Sequence, residues 1–198
     1  MASAQLAAKQ MEYEKTQSLI SEAERALELM GRAIRMAGYQ HIKTPHHVKD
    51  TDSSKWFIQV NKKTGYRGSD SLNVQYELSD GIDFDCIGNV LNKERTRKNL
   101  AFQGFAVDRQ ASAPKGAKVN GGSLICQSLD RQGRLQNTTL MNGVNQLLIE
   151  ELGVVQALSG RGSPQNKGQK LYKLKLQMTD GALLQINMER TFATRNLP

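Results

Sequence analysis

The apolar residues of this chain change period once, and that change restricts the fold more than any other feature. In the stretch RALELMGRAIRMAGYQ, residues 25–40, apolar side chains return at helical spacing through Leu27, Met30, Ile34 and Ala37, with Ala23 leading into them. Glu24, Glu28, Arg32 and Arg35 lie off that stripe. The pattern predicts a half-buried helix over residues 4–37, rich in Glu, Lys, Gln, Ala and Leu. No Pro interrupts it, and Gly38 suits a left-handed C-terminal cap. Ahead of Leu19 the stripe thins to Leu6, Met11 and scattered alanines, so the front of the helix has little to pack on.

A polar stretch, HIKTPHHVKDTDSSK, carries a Pro and no period, and reads as a loop. From Trp56 onward the period is two. WFIQV puts Trp56, Ile58 and Val60 on one face. SLNVQYEL alternates Leu72, Val74, Tyr76 and Leu78 with Asn73, Gln75 and Glu77, the pattern of a strand with one wet face. NLAFQGFAV and GGSLICQSL read as further strands, and DRQGR as a tight turn joining Leu129 to Leu135. GVNQLLIEELG fits either a strand or a short helix. KLYKLKLQM and ALLQINMER flank a TDG turn, with Tyr172, Leu174, Leu176 and Met178 on one arm and Leu184, Ile186 and Met188 on the other pointing inward. Asp-Gly between alternating runs is a hairpin signal. RQASAPKGAKVNGG and SGRGSPQNKGQK read as exposed loops. The expectation is a single α+β domain, in which a long N-terminal helix (residues 1–38) packs on an antiparallel β head (residues 39–198).

Composition bears on partners. The chain has 198 residues, mean hydropathy −0.53 and formal net charge +8. No apolar run approaches the ~20 residues of a membrane-spanning helix. The positive balance permits attraction to nucleic acid, anionic lipid or an acidic protein without choosing among them. The sharpest basic run is NKERTRKN, where Lys93, Arg95, Arg97 and Lys98 stand against Glu94. Such a loop suits phosphate neutralisation without base reading; a solvated surface loop is the simpler alternative. Lys62, Lys63 and Arg67 near Tyr66, and Lys173 with Lys175 on a strand, form smaller groups. Aromatics are few, which argues against a dedicated single-strand binder.

Catalytic signatures are absent from the sequence: it holds no G-x-S-x-G, H-E-x-x-H or Walker loop. His41, His46 and His47, with Asp50 and Asp52, share one loop, but adjacent histidines beside a Pro rarely converge on one centre, so no metal site is expected. Asp80, Asp83 and Asp85 lack the dense ligand spacing of a calcium loop and read as a turn. No cofactor is expected. Cys86 and Cys126 lie outside any C-x-x-C and border strand-like segments, which leaves one disulfide and two buried thiols both open.

Taken in order, four of these segments resemble the PilW/PilJ-type minor pilins of type IV pili. ERALELMGRAIRMAGYQ is similar to the phrase that closes the long N-terminal helix in that family, of the form A-L-E-L-x-x-R-x-I/L-R-M-A-G-Y. GSDSLNVQYELSDGIDFDCIG is similar to its G-S/T-D-x-L-x-V-x-Y strand followed by a cysteine and a glycine. SLICQSLDRQGRLQNTTLMNGVNQLLIEELG resembles its second-cysteine strand and the L-x-x-G-V segment after it, and RTFATRNLP its R-x-F…R-N-x-x-P ending.

The resemblance implies a pilin-like fold and a structural, non-enzymatic role as a minor pilin or pseudopilin. Other minor pilins and the major pilin are the implied partners, in a complex that primes pilus assembly and caps the tip. It also implies that this chain begins in the outer part of a longer helix, whose hydrophobic half anchors the full-length protein in the inner membrane before assembly. The implied location is then the periplasm and inner membrane, and afterwards the pilus at the cell surface. An envelope location favours a disulfide between Cys86 and Cys126. Leu27, Met30, Ile34 and Ala37 would pack on the sheet, while the opposite helix face and the loops would meet neighbouring subunits. Two alternatives use the same fold: a DNA-binding tip pilin in natural transformation, with Lys93, Arg95, Arg97 and Lys98 on the DNA, and a type II secretion pseudopilin.

Overall fold

The computed structural model of the chain describes residues 2–40, 56–110, 121–155, 169–181 and 184–195. One helix, α1 (Ala2–Met36), leads into a seven-stranded antiparallel sheet. The strands are β1 (Ile58–Asn61), β2 (Ser71–Glu77), β3 (Leu100–Arg109), β4 (Gly122–Leu129), β5 (Leu135–Val155), β6 (Gln169–Thr179) and β7 (Gln185–Ala193). They lie side by side in chain order, a meander in which each strand pairs with the next. Among the described residues no helix is long and apolar enough to cross a membrane.

The helix has two halves with different surroundings. Ala23, Ala26, Leu27, Met30, Ala33, Ile34 and Ala37 are fully buried against the sheet. Residues 3–15 are exposed, a length of about 20 Å at the helical rise. Gly38 ends the helix at φ 73°, and its N–H donates to Gln75 O at 3.0 Å, stitching the helix end to β2. Gly31 is there for contact rather than for conformation. A Cβ at that position would collide with the Phe192 ring of β7, so the missing side chain lets helix and strand approach closely.

The inner face of the sheet carries the apolar alternation. Leu72, Val74 and Tyr76 of β2, Phe105 and Val107 of β3, Leu124 and Cys126 of β4, and Tyr172, Leu174, Leu176 and Met178 of β6 are buried there. The outer face is polar, with Lys173 paired to Glu189 at 3.0 Å and Lys175 to Glu150 at 3.9 Å. GVNQLLIEELG is strand, part of β5: Leu147 and Ile149 are buried while Leu148 and Glu150 face out. Pairing on both edges overrides its local ambiguity. Trp56 departs from the alternation. It lies before β1, and its ring stands edge-on to Phe102 at 6.3 Å. Phe102 is registered with Gln75, whereas Ile58 is registered with Val74. Trp56 therefore leaves the inner face of Ile58 and Val60 for the outer one.

β5 changes neighbours along its length. Residues 135–144 pair with β4, and from Val144 onward the other edge pairs with β6. Beyond Val144 the edge that β4 has left is taken by Ser69 and Asp70. Asp70 N donates to Leu147 O at 2.8 Å, and Ser69 Oγ accepts from Leu147 N at 3.2 Å. Asp70 Oδ2 accepts from Ile149 N at 2.8 Å and from Lys62 Nζ at 3.0 Å, while Oδ1 accepts from Lys63 N at 3.0 Å. Lys62 Nζ also donates to Ile149 O. The Asp70 side chain is 3% exposed, so these partners replace water almost completely. Asp70→Ala is expected to lower stability by about 3 kcal/mol, because two backbone N–H groups and an ammonium lose a buried acceptor. Asp70→Asn, which keeps one oxygen, should lose less. Urea unfolding followed by Trp56 fluorescence measures both, and a loss below about 1 kcal/mol for Asp70→Ala would contradict this account.

Candidate functional site

The densest chemistry outside the core gathers at one end of the sheet, where β2 ends, β3 begins and β4 turns into β5. Cys86 and Cys126 form a disulfide there, with Cα atoms 6.1 Å apart and a sequence separation of 40. Cys126 sits on the inner face of β4, and Cys86 lies in the loop between β2 and β3 that folds over that face. The loop is built by its own side chains. Asp85 Oδ1 accepts from Ile87 N at 3.0 Å and Asn89 N at 2.8 Å, and Oδ2 from Asn89 Nδ2 at 3.0 Å. Asp83 likewise takes the Ser79 N–H at 2.6 Å and its hydroxyl at 2.9 Å. Gln103 Nε2 bridges from β3 to Tyr76 Oη at 2.8 Å and to Phe84 O at 3.0 Å. Burial first, then the Asp83 and Asp85 charges, push ionisation of the Tyr76 hydroxyl far above its ordinary range.

The basic run follows directly. Asn92 caps a one-turn 3₁₀ helix (Lys93–Arg95), its Oδ1 accepting from Arg95 N at 3.2 Å. The four cations of this run divide by role. Arg95 turns inward: its side chain is 15% exposed, and Nη1 lies 3.8 Å from Asp85 Oδ2. Among the described residues that Nη1 has no hydrogen-bond partner, and the Asp85 charge is what faces it. Arg95 therefore supports the loop and, of the four cations, is the least exposed to solvent. Lys93, Arg97 and Lys98 are exposed. Lys98 and Asn99 occupy the two left-handed positions, φ 53° and 62°, of a tight turn across which Arg97 and Leu100 exchange both backbone hydrogen bonds, at 2.9 and 3.0 Å.

Arg97 also reaches a segment that chain order keeps far away. Its Nη2 donates to Gly133 O at 3.0 Å in the β4–β5 turn. That turn is organised by Asp130, whose Oδ1 accepts from Gln132 N at 2.9 Å and Arg134 N at 2.8 Å and whose Oδ2 accepts from Arg134 Nε at 3.0 Å. The Arg134 and Gln132 backbone N–H groups and the Arg134 guanidinium hold the Asp130 carboxyl below its ordinary range. Arg131 and Arg134 thus join the corner. The sequence does show DRQGR as a turn, but nothing in chain order says that Gly133 faces Arg97.

The other sequence candidates have different fates. Leu27, Met30, Ile34 and Ala37 lie in the helix–sheet core. Lys62 is bound to Asp70, and Arg67 lies over the Tyr66 ring at 5.3 Å and donates to Asn145 Oδ1. His41, His46, His47, Asp50 and Asp52 fall outside the described residues. Among the described residues no group of three or more His, Cys, Asp or Glu side chains is placed to hold a metal ion. A shallow groove of about 390 Å³ on the outer face, between β5, β6 and β7, is lined by Gln146, Leu148, Lys175, Gln177, Asn187 and Glu189 among others. No known protein family, curated protein or solved structure matches the chain.

Two measurements test the architecture of this corner. Unreduced native protein should show no free thiol, and reduction should cost about 4 kcal/mol by the loop-entropy relation for a bridge of this span. Two reactive thiols in a thiol-titration assay would sink the bridge. Arg95→Ala should destabilise by about 3 kcal/mol, since it leaves the buried Asp85 carboxylate without its counter-charge. Lys93→Ala, at an exposed site, should change stability by no more than about 0.5 kcal/mol. Equal effects of the two substitutions would contradict the division of roles.

Proposed function

We propose that this chain is the outer, membrane-distal portion of a minor pilin or pseudopilin, a structural subunit of a type IV pilus rather than an enzyme. The observation that carries the reading is the helix whose rear half is sealed into the head while its front half stands bare. Leu6 is 70% exposed, Met11 58% and Tyr13 65%. An isolated helix of this length is marginal in water, so a free-standing front half calls for a packing partner. Leu6, Tyr13, Ile20, Leu27 and Ile34 follow one another at seven-residue steps, so the face that the head covers continues into the bare part as a slowly winding stripe that turns by about 20° per step. A helical partner can therefore take up the stripe where the sheet leaves off.

The order of motifs that resembles PilW/PilJ-type minor pilins supports the same reading, and so does the Cys86–Cys126 bridge, which suits an oxidising envelope compartment. In this role the chain sits at the inner membrane and in the periplasm before assembly and in the pilus afterwards, with other minor pilins and the major pilin as partners. Co-purification with the minor pilins of the same pilus system tests it. The expected result is a complex that Leu6→Glu with Tyr13→Glu weakens while the head stays folded. Failure to bind any of them, together with normal piliation when the full-length protein is deleted, would overturn it.

A further inference from the structure

The outer face of the sheet carries a trough away from both the helix and the disulfide corner. Its floor is Leu148 of β5, 39% exposed, which lies between two hollows of about 390 and 320 Å³. Lys175 of β6 borders both. The larger hollow is lined by amides. Gln146, Gln177 and Asn187 form one cross-strand row over β5, β6 and β7. The row is anchored from the β5 side, where Asn145 Nδ2 donates to Gln177 Oε1 at 2.6 Å and Arg67 donates to Asn145 Oδ1. Gln177 Nε2 and the exposed Asn187 amide are left for a ligand.

The smaller hollow is cationic. Lys62, Lys63 and Lys175 line it together with Glu150 and Asp70. The Asp70 carboxylate is 3% exposed and committed to Ile149 N, Lys63 N and Lys62 Nζ, so it does not face a ligand. Glu150 stands 3.9 Å from Lys175 Nζ, beyond hydrogen-bond distance. Lys63 makes no ion pair with another described residue, and its backbone is held at φ 57°, a region that residues other than glycine rarely enter. We infer that this trough binds an acidic oligosaccharide, with a sugar carboxylate on Lys63 and Lys175 and the hydroxyls of an adjoining ring on Gln146, Gln177 and Asn187. The lining selects that class. An amide both donates and accepts, as a sugar hydroxyl does, and an ammonium matches a carboxylate. One leucine offers little to a ligand that binds by apolar burial. Leu147 and Ile149 are buried beneath the floor, so the row is in place before a ligand arrives. The inference goes beyond the pilus reading and does not depend on it, because it needs only the folded head.

A titration of the whole chain with tetragalacturonate, followed by backbone amide NMR shifts, tests it. Cellotetraose serves as the uncharged comparator and sodium sulfate as the anion without hydroxyls. Tetragalacturonate should shift amides of β5, β6 and β7 around Leu148 and saturate by about 10 mM. Each comparator should bind roughly tenfold more weakly or less well still, since each reaches one hollow alone. Asn187→Ala should weaken tetragalacturonate binding about fivefold at any salt concentration. Lys63→Asn, which tolerates the left-handed backbone, should weaken it about tenfold at low salt and by less at high salt. Lys93→Gln with Lys98→Asn, at the distant basic corner, should leave the affinity as it is. Circular dichroism and the absence of free thiols check that each variant is folded. The proposal is overturned if tetragalacturonate causes no saturable shift or if its shifts centre on the basic corner. It is also overturned if sulfate or cellotetraose binds as tightly, if Asn187→Ala and Lys63→Asn leave the affinity unchanged, or if the corner variant weakens binding equally.

Discussion

A single buried carboxylate keeps this sheet continuous. β4 stops short of the far half of β5, and an exposed row of backbone donors and acceptors would remain there if nothing replaced it. Asp70 replaces it with one main-chain bond and one side chain, imitating a strand over the stretch from Leu147 to Ile149. Lys62 closes the arrangement by holding the carboxylate and Ile149 O together. Because Asp70 directly precedes β2, the same contact brings the start of β2 against β5. The inner face of the sheet is the one that receives α1.

The opposite end of the sheet is held by different means. There the connection between β2 and β3 is long, and its apolar content is partly exposed: Ile82 71%, Phe84 48% and Val90 53%. Burial alone would not order such a loop. Asp83 and Asp85 gather its backbone N–H groups, Arg95 balances the buried charge, and the Cys86–Cys126 bond ties the whole to β4. A loop organised in this way can present charged side chains at fixed positions without needing a core of its own. The surface cations of Lys93, Arg97, Lys98 and Arg131 stand on that support.

The parts legible in the sequence are those set by local periodicity. The helix, its cap at Gly38 and the alternating faces of β2 and β6 all follow from side-chain spacing. What was not legible depends on partners distant in the chain. GSDS stands just ahead of an alternating strand, and nothing local reveals that its aspartate completes a strand edge near residue 149. NKERTRKN reads as four equivalent cations, yet Asp85 claims one of them and Gly133 braces another. Trp56 obeys the two-residue period only on paper, because β1 starts after it and its ring finds Phe102 on the other face.

The continuity of α1 has a mechanical consequence. Between residues 3 and 30 there is no Pro or Gly, and the helix passes from the bare part to the sealed part without a break. A pull on its front is transmitted with no hinge to absorb it. The load arrives at Ala23, Leu27, Met30 and Ile34 together, and the contacts with β7, β6 and β2 share it. The Gly31–Phe192 contact and the Gly38–Gln75 stitch lock the rear of the helix against sliding. A joint loaded along the helix axis in this way yields by shear of the packed face rather than by peeling from one end.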